Sequence, residues 1–407
     1  MTRSAATVTA PPVLPALSTS RGSLAWFTVS GLLALLLAMG IGRFAYTALL
    51  PQMLEEGLLT PTQGALLAGA NYAGYLAGAL WAAFSRQANP VARLASGLVL
   101  SVLTTLAMGF ELGFGVWCAV RFASGVASAL VYVYATGIVL RRLAAAGAPG
   151  WSMLHYVGVG SGITLSAVVA QTMVDHQALA AHGWWGLGAI ALPAAVCAAV
   201  GLLPSGRRAL SAHEAAAQQT HATTPPPPLG WLAASYGLAG FGYIVNMTFM
   251  PLMLRGDAGT RGAALTGWLV VGLAAVPATA IWVRLALQRG IYPALIACTL
   301  VQAVGVALPI LVPGVSAALV GAALLGGTFM GIAGLAQWLA RTPDPQASAR
   351  RIGLLTVFYG LGQIAGPLLV AALGRGRDFT LPVLLAAGAL LISAALLDVS
   401  RRVERLG

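Results

Sequence analysis

Residues 40–54 read Gly40-Ile-Gly-Arg43-Phe-Ala-Tyr46-Thr-Ala-Leu-Leu-Pro51-Gln-Met53-Leu54, and residues 240–254 read Gly240-Phe-Gly-Tyr243-Ile-Val-Asn246-Met-Thr-Phe-Met-Pro251-Leu-Met253-Leu254. At a shift of 200 positions five residues coincide: both glycines, the proline, the methionine and the final leucine. The echo continues in order along the chain. Gly64 and Gly69 answer to Gly267 and Gly272 at a shift of 203, and Gly158-Val-Gly160 answers to Gly360-Leu-Gly362 at a shift of 202. With 50 glycines in 407 residues, no single match carries weight. A nearly constant shift kept in the right order does, and it means that one design is present twice.

Both copies are embedded in apolar sequence. The chain is 58% apolar and 8% charged, with a mean hydropathy of +0.85, whereas soluble domains carry about 45–50% apolar and about 25% charged residues. Disorder, collagen and a disulfide scaffold are excluded by the low charge, the absence of a Gly triplet and the count of three Cys. The three Cys, at 118, 197 and 298, fall inside apolar runs and read as small packing residues. A net charge of +12, every basic residue being Arg, would fit nucleic acid only if it were clustered on one face. It is scattered between uncharged runs, so no nucleic-acid partner is expected.

A run of about 20 apolar residues spans a bilayer as a helix. Leu24–Gly42 contains no charge, and by the same criterion spans fall near 24–47, 63–84, 94–110, 113–140, 151–173, 184–203, 231–253, 264–286, 291–312, 315–340, 352–373 and 381–399. The runs are continuous rather than alternating, which favours helices over a barrel. No cleavage signal follows the first span, so it is read as retained. The long polar stretch with its Pro225–Pro228 tract divides the spans six and six. The expected organisation is an N-terminal tail (1–22), a first six-helix bundle (23–203), a linker (204–229), a second bundle (230–399) and a C-terminal tail (400–407). Six spans per copy leave the two copies in the same orientation, as parallel repeats. Tails and even-numbered loops hold sixteen Arg against four in odd-numbered loops, which predicts tails and linker in the cytoplasm.

Parallel six-span repeats joined by a cytoplasmic linker resemble the major facilitator superfamily. Residues 40–51, 69–78 (Gly69-Ala-Asn71-Tyr72-Ala-Gly74-Tyr75-Leu-Ala-Gly78), 117–125 and 360–367 resemble its YbfB/YjiJ-type branch, and the likeness covers about 25–400. It implies an all-α integral membrane protein of twelve transmembrane helices in two parallel-repeat bundles, with spans one, four, seven and ten lining a pathway. The stretch Ser85–Pro90 lacks the Asp common between spans two and three, and Gly158-Val-Gly160-Ser-Gly162 replaces the Gly-Pro element of many drug-proton antiporters.

Polar groups inside a bilayer line cavities or join helices. Two arginines, Arg43 and Arg121, lie inside spans, both placed toward the outer half. One reading makes them a positive site for an anionic solute or a proton relay. The other has Arg121 satisfying carbonyls freed around Gly40–Gly42 and Arg43 snorkelling outward. Arg121, Gly125, Ser128 and Tyr132 share a helix face, as do Asn71 and Tyr75, while Gly74 and Gly78 read as a close-packing face. By the repeat, Tyr243 and Asn246 occupy the places of Arg43 and Tyr46. Substrate contacts are therefore expected from Arg43, Tyr46, Asn71, Tyr75, Arg121, Tyr132, Tyr243, Asn246 and Gln337. No carboxylate lies mid-span, which leaves His155 as the span residue whose ordinary pKa suits proton coupling; its place near a span end also suits a helix-end hydrogen bond. Gly158, Gly160 and Gln363 are candidate gating residues. Catalytic, phosphate-loop, cofactor and metal patterns are absent from the sequence. The expected function is secondary transport of a small organic solute, with protons as candidate co-substrate, by a monomer in a bacterial-type inner membrane. The alternative is a non-transporting membrane receptor or scaffold.

Overall fold

In the computed structural model, which describes residues 21–85, 89–216, 229–341, 345–373 and 378–406, the regular elements among the described residues are all helical. Twelve rods follow one another: α1 (Arg21–Glu55), α2 (Pro61–Phe84), α3 (Pro90–Ala107), α4 (Phe114–Ala145), α5 (Ser152–Asp175), α6 (Ala180–Ala216), α7 (Gly230–Gly256), α8 (Ala264–Arg289), α9 (Ile291–Leu311), α10 (Val315–Leu339), α11 (Pro345–Leu373) and α12 (Thr380–Leu406). Eleven contain a stretch long and apolar enough to cross a bilayer. The exception is α2, whose 24 residues carry no charge but include Asn71, Tyr72, Tyr75 and several glycines. Its face is polar because it is turned into the protein.

Local sequence sets the helix starts. Thr60 Oγ1 accepts from the Gln63 N–H at 3.2 Å while Gln63 Oε1 accepts from the Thr60 N–H at 2.9 Å, a reciprocal cap with Pro61 in the first helical position, where no N–H is needed. Asn89 Oδ1 accepts from the N–H groups of Val91 and Ala92, at 3.0 and 3.2 Å, ahead of Pro90. The reversal between α8 and α9 is a single residue, Gly290, at φ +94°, a conformation that side chains disfavour.

Two boundaries differ from expectation. Helix α6 continues to Ala216, so residues 204–216 of the expected linker are helical; Ala, Leu, Arg and Glu are good helix formers, and leaving the apolar run does not end a helix. The remaining linker, 217–228 with Pro225–Pro228, and residues 1–20 lie outside the described residues, as do Arg86, Arg375 and Arg377. The expected C-terminal tail likewise continues α12 to Leu406, with Asp398 paired to Arg401 at 2.5 Å and Arg402 at 2.6 Å.

Helix pairing repeats between the halves. Helix α1 packs on α5 and α6, α2 on α4, and α3 on α4 and α6; α7 packs on α11 and α12, α8 on α10, and α9 on α10 and α12. The halves meet through α5 against α8, α2 against α11, and α1 against α7. The outer surface leaves Phe84, Val99, Leu287, Leu391 and Ile392 more than half exposed. An apolar belt of this kind suits acyl chains rather than water.

Candidate functional site

Within α1 the backbone widens into a π-helical segment, Leu36–Phe44, an uncommon geometry concentrated at functional sites. It is held from α4. Arg121 donates through Nη1 to the Gly42 carbonyl at 3.0 Å and through Nη2 to the Arg43 carbonyl at 3.3 Å. The Ser124 hydroxyl donates to the same Gly42 carbonyl at 2.8 Å, and Ser128 Oγ reaches the Ala38 carbonyl at 2.6 Å. From the other side Gly40 lies on Gly162 of α5, so closely that a Cβ on Gly40 would land on the Gly162 backbone.

Arg43, at the end of this segment, turns inward and is 2% exposed. Its Nη2 donates to Gln363 Oε1 at 2.6 Å, and Gln363 Nε2 donates to the Tyr243 hydroxyl at 2.5 Å. Aromatic faces surround the guanidinium: its Cζ is 4.1 Å from the ring centroid of Tyr75, 5.0 Å from Tyr72 and 5.5 Å from Phe44. Placing an arginine mid-helix costs roughly 2.5–3.5 kcal/mol on insertion scales. One cation–π contact returns about 0.5–2 kcal/mol, so three rings and a hydrogen bond offset that cost without any counter-charge. The Arg43 Nε is buried and has no partner.

Arg43 ends a cavity of about 360 Å³ lined by Tyr75, Tyr132, Tyr156, Tyr236, Tyr243, Phe329, Gln337, Tyr359 and Gln363, running to Leu140, Arg341 and Ile352 at the far ends of α4, α10 and α11. Four of its rings form a stack: Tyr236 on Tyr359 (4.2 Å, 16°), Tyr359 by Tyr243 (5.6 Å, 13°) and Tyr243 by Phe329 (6.0 Å, 4°). One turn beyond Arg43, α1 and α2 join α7: Thr47 Oγ1 donates to the Met247 carbonyl at 2.9 Å, and the Tyr72 and Thr248 hydroxyls are 2.7 Å apart. Past this layer, a hollow of about 970 Å³ opens between Pro51–Glu55, Gln171–Gln177 and Leu252–Arg261. Glu55 and Arg255 bridge its wall at 2.7 Å.

Of the residues expected at the site, the cavity brings together Arg43, Tyr75, Tyr132, Tyr243, Gln337 and Gln363. Tyr46, Asn71, Arg121 and Asn246 do not line it. Tyr46 donates to the Gly64 carbonyl at 2.8 Å, Asn71 Nδ2 to the Arg121 carbonyl at 3.0 Å and Asn246 Nδ2 to the Val306 carbonyl at 3.0 Å. All three side chains join helices. Arg121 serves the α1 backbone, and Arg43 is buried rather than directed outward. His155 is fully buried, its Nε2 3.0 Å from the hydroxyl of Thr136, a cavity-lining residue. Gly158 abuts the Leu32 carbonyl of α1, whereas a Cβ on Gly160 would meet the Gly272 carbonyl of α8 at 2.7 Å, across the two halves. Gly74 and Gly78 lie against the α4 backbone at Phe122 and Val126. Tyr236, Tyr359, Phe329 and Tyr156 were not singled out in the sequence. A usable signal existed: Tyr236 is seven residues before Tyr243, and Tyr359 four before Gln363, each on the same helix face.

Twin bundles around a polar, aromatic chamber, sealed on one side at mid-helix, define a secondary transporter of the major facilitator type rather than an enzyme. The chain belongs to the family described as uncharacterised MFS-type transporter YbfB, whose model matches residues 35–398. No curated protein matches the sequence. Among solved structures, a D-xylose–proton symporter superposes with a TM-score of 0.67 at 15% identity, covering 93% of this chain and 97% of the other. The nucleoside transporter NupG does so with a TM-score of 0.67 at 13% identity, covering 93% and 99%. At such identities the likeness is one of fold.

Proposed function

We propose that the protein carries a small organic solute by alternating access, with Arg43, Tyr75, Tyr132, Tyr243, Gln337 and Gln363 contacting it in the central cavity. The observation that carries this reading is the hydrogen-bonded layer of Thr47, Met247, Tyr72 and Thr248, which separates a hollow on each side. Rocking the halves about that layer exposes the cavity to one side at a time. Gly160 against α8 and Gln363 between Arg43 and Tyr243 lie where such a movement changes contacts, whereas Gly158 supports the packing of α1 on α5. The arginine distribution supports a cavity open to the cytoplasm, with both termini on that side of a bacterial-type inner membrane. Protons are the proposed co-substrate, through His155 and its Thr136 partner at the cavity wall, and the working unit is a monomer.

The purified protein in liposomes, offered labelled carboxylic acids, sugars and nucleosides, should accumulate at least one above protein-free vesicles. An inward proton gradient should raise that uptake, and His155→Gln should abolish the increase while leaving solute exchange intact. A receptor or scaffold would move none of the solutes.

A further inference from the structure

We propose that the cavity selects organic monoanions with a planar ring, the acid group seated on Arg43 and the ring against the tyrosine stack. This rests on the transport reading and specifies the solute for the same site. Charge comes first. Among the described residues the lining includes two arginines, Arg43 at the closed end and Arg341 at the mouth, and no Asp or Glu. Among the described residues every partner of the Arg43 guanidinium is neutral: the Gln363 amide and the rings of Tyr75, Tyr72 and Phe44. These make the buried cation tolerable without cancelling it, so the chamber keeps a full positive charge in a low-dielectric setting, where one opposite charge is strongly attracted. Arg43 lines the cavity and its Nε has no partner, and carboxylates are the acceptors that guanidinium groups hold best. Arg341, exposed at the mouth, adds an attractive field along the entrance.

Shape comes second. Tyr236, Tyr359, Tyr243 and Phe329 present nearly parallel planes, and Tyr132, Tyr156, Met330, Ala79 and Ala83 supply further apolar wall. A planar ring gains offset stacking on such a surface beyond its burial. A small aliphatic acid satisfies Arg43 but leaves the stack unused. A sugar uses neither the charge nor the planes.

The test is a thermal-shift titration of the intact purified protein with benzoate, benzamide, benzylamine and acetate. Benzoate should raise the unfolding midpoint saturably. Benzamide, of the same shape without the charge, should bind at least about tenfold more weakly, the loss of one charge-assisted contact; acetate should also be weaker, and benzylamine should give no shift. Arg43→Gln should abolish the benzoate shift and Arg43→Lys should retain part of it. If Arg43→Gln does not fold, the ligand series on the unaltered protein decides. Benzamide or benzylamine matching benzoate, or no shift with benzoate at millimolar concentration, overturns the proposal. Benzoate binding without uptake of any solute in liposomes would instead sink the transport reading and leave the anion site standing. Uptake of a sugar or nucleoside by a protein blind to benzoate would do the reverse.

Discussion

Arg43 and Arg121 look alike in the sequence: each is a lone guanidinium in an apolar run, and each is 2% exposed in the fold. Their surroundings separate them. Each leaves its Nε without a partner, but Arg43 lines the cavity, while Arg121 lies outside it, donates to the carbonyls of Gly42 and Arg43 and covers the Tyr46 ring at 4.6 Å. Replacing Arg121 with Gln should therefore act on the framework. The Gly42 carbonyl keeps Ser124, but the Arg43 carbonyl loses its side-chain donor. A buried acceptor left unpaired costs about 1–3 kcal/mol, so the unfolding midpoint in detergent should fall while the preference among ligands of different charge stays unchanged. A changed charge preference with an unchanged midpoint would place Arg121 in the site. The two roles could not be separated by reading residues alone, because the π-helical widening of α1 that creates the carbonyl partners has no signature in apolar periodicity.

At the scale of elements, most of the helices were legible, since an apolar run of bilayer length has few alternatives. Ends were less so: α6 outruns its apolar stretch by 13 residues, 204–216, because hydropathy marks where the lipid ends and not where the helix does. The glycines of the repeat were visible as matches, but their purpose was not. Gly40 and Gly162 touch each other through their backbones, and with Gly158 against Leu32 and Leu36 they let α5 lie against the π segment of α1. Gly40→Val and Gly162→Val should each cost about 1–3 kcal/mol by overpacking. Because both occupy one contact, the double variant should lose less than the sum. Unfolding midpoints of the four proteins check this, and strict additivity would show that the contact is not shared.

For the molecule as a whole, the doubled sequence was enough to specify twin bundles, and the repeated helix pairing shows the same symmetry in three dimensions. What the sequence did not disclose is the aromatic chamber, because its rings come from α1, α2, α4, α5, α7, α10 and α11 and meet only once the halves are docked. The docking includes two contacts between residues 200 positions apart, Thr47 with Met247 and Glu55 with Arg255. Glu55 is 60% exposed, so its bridge is worth about 0.2–1 kcal/mol. Glu55→Arg should leave the unfolding midpoint nearly unchanged yet raise the labelling of cysteines introduced in the hollow beside it, and adding Arg255→Glu should reverse that increase. Unaltered labelling in Glu55→Arg would show that the pair does not bear on closure. Positions related by the repeat that touch must straddle its axis, where, in an assembly of two identical halves, a side chain would face its own twin. Glutamate facing glutamate repels; arginine in the second half turns the same encounter into attraction. The fused chain can thus hold there what a pair of equal protomers would have to push apart, and its halves are no longer interchangeable.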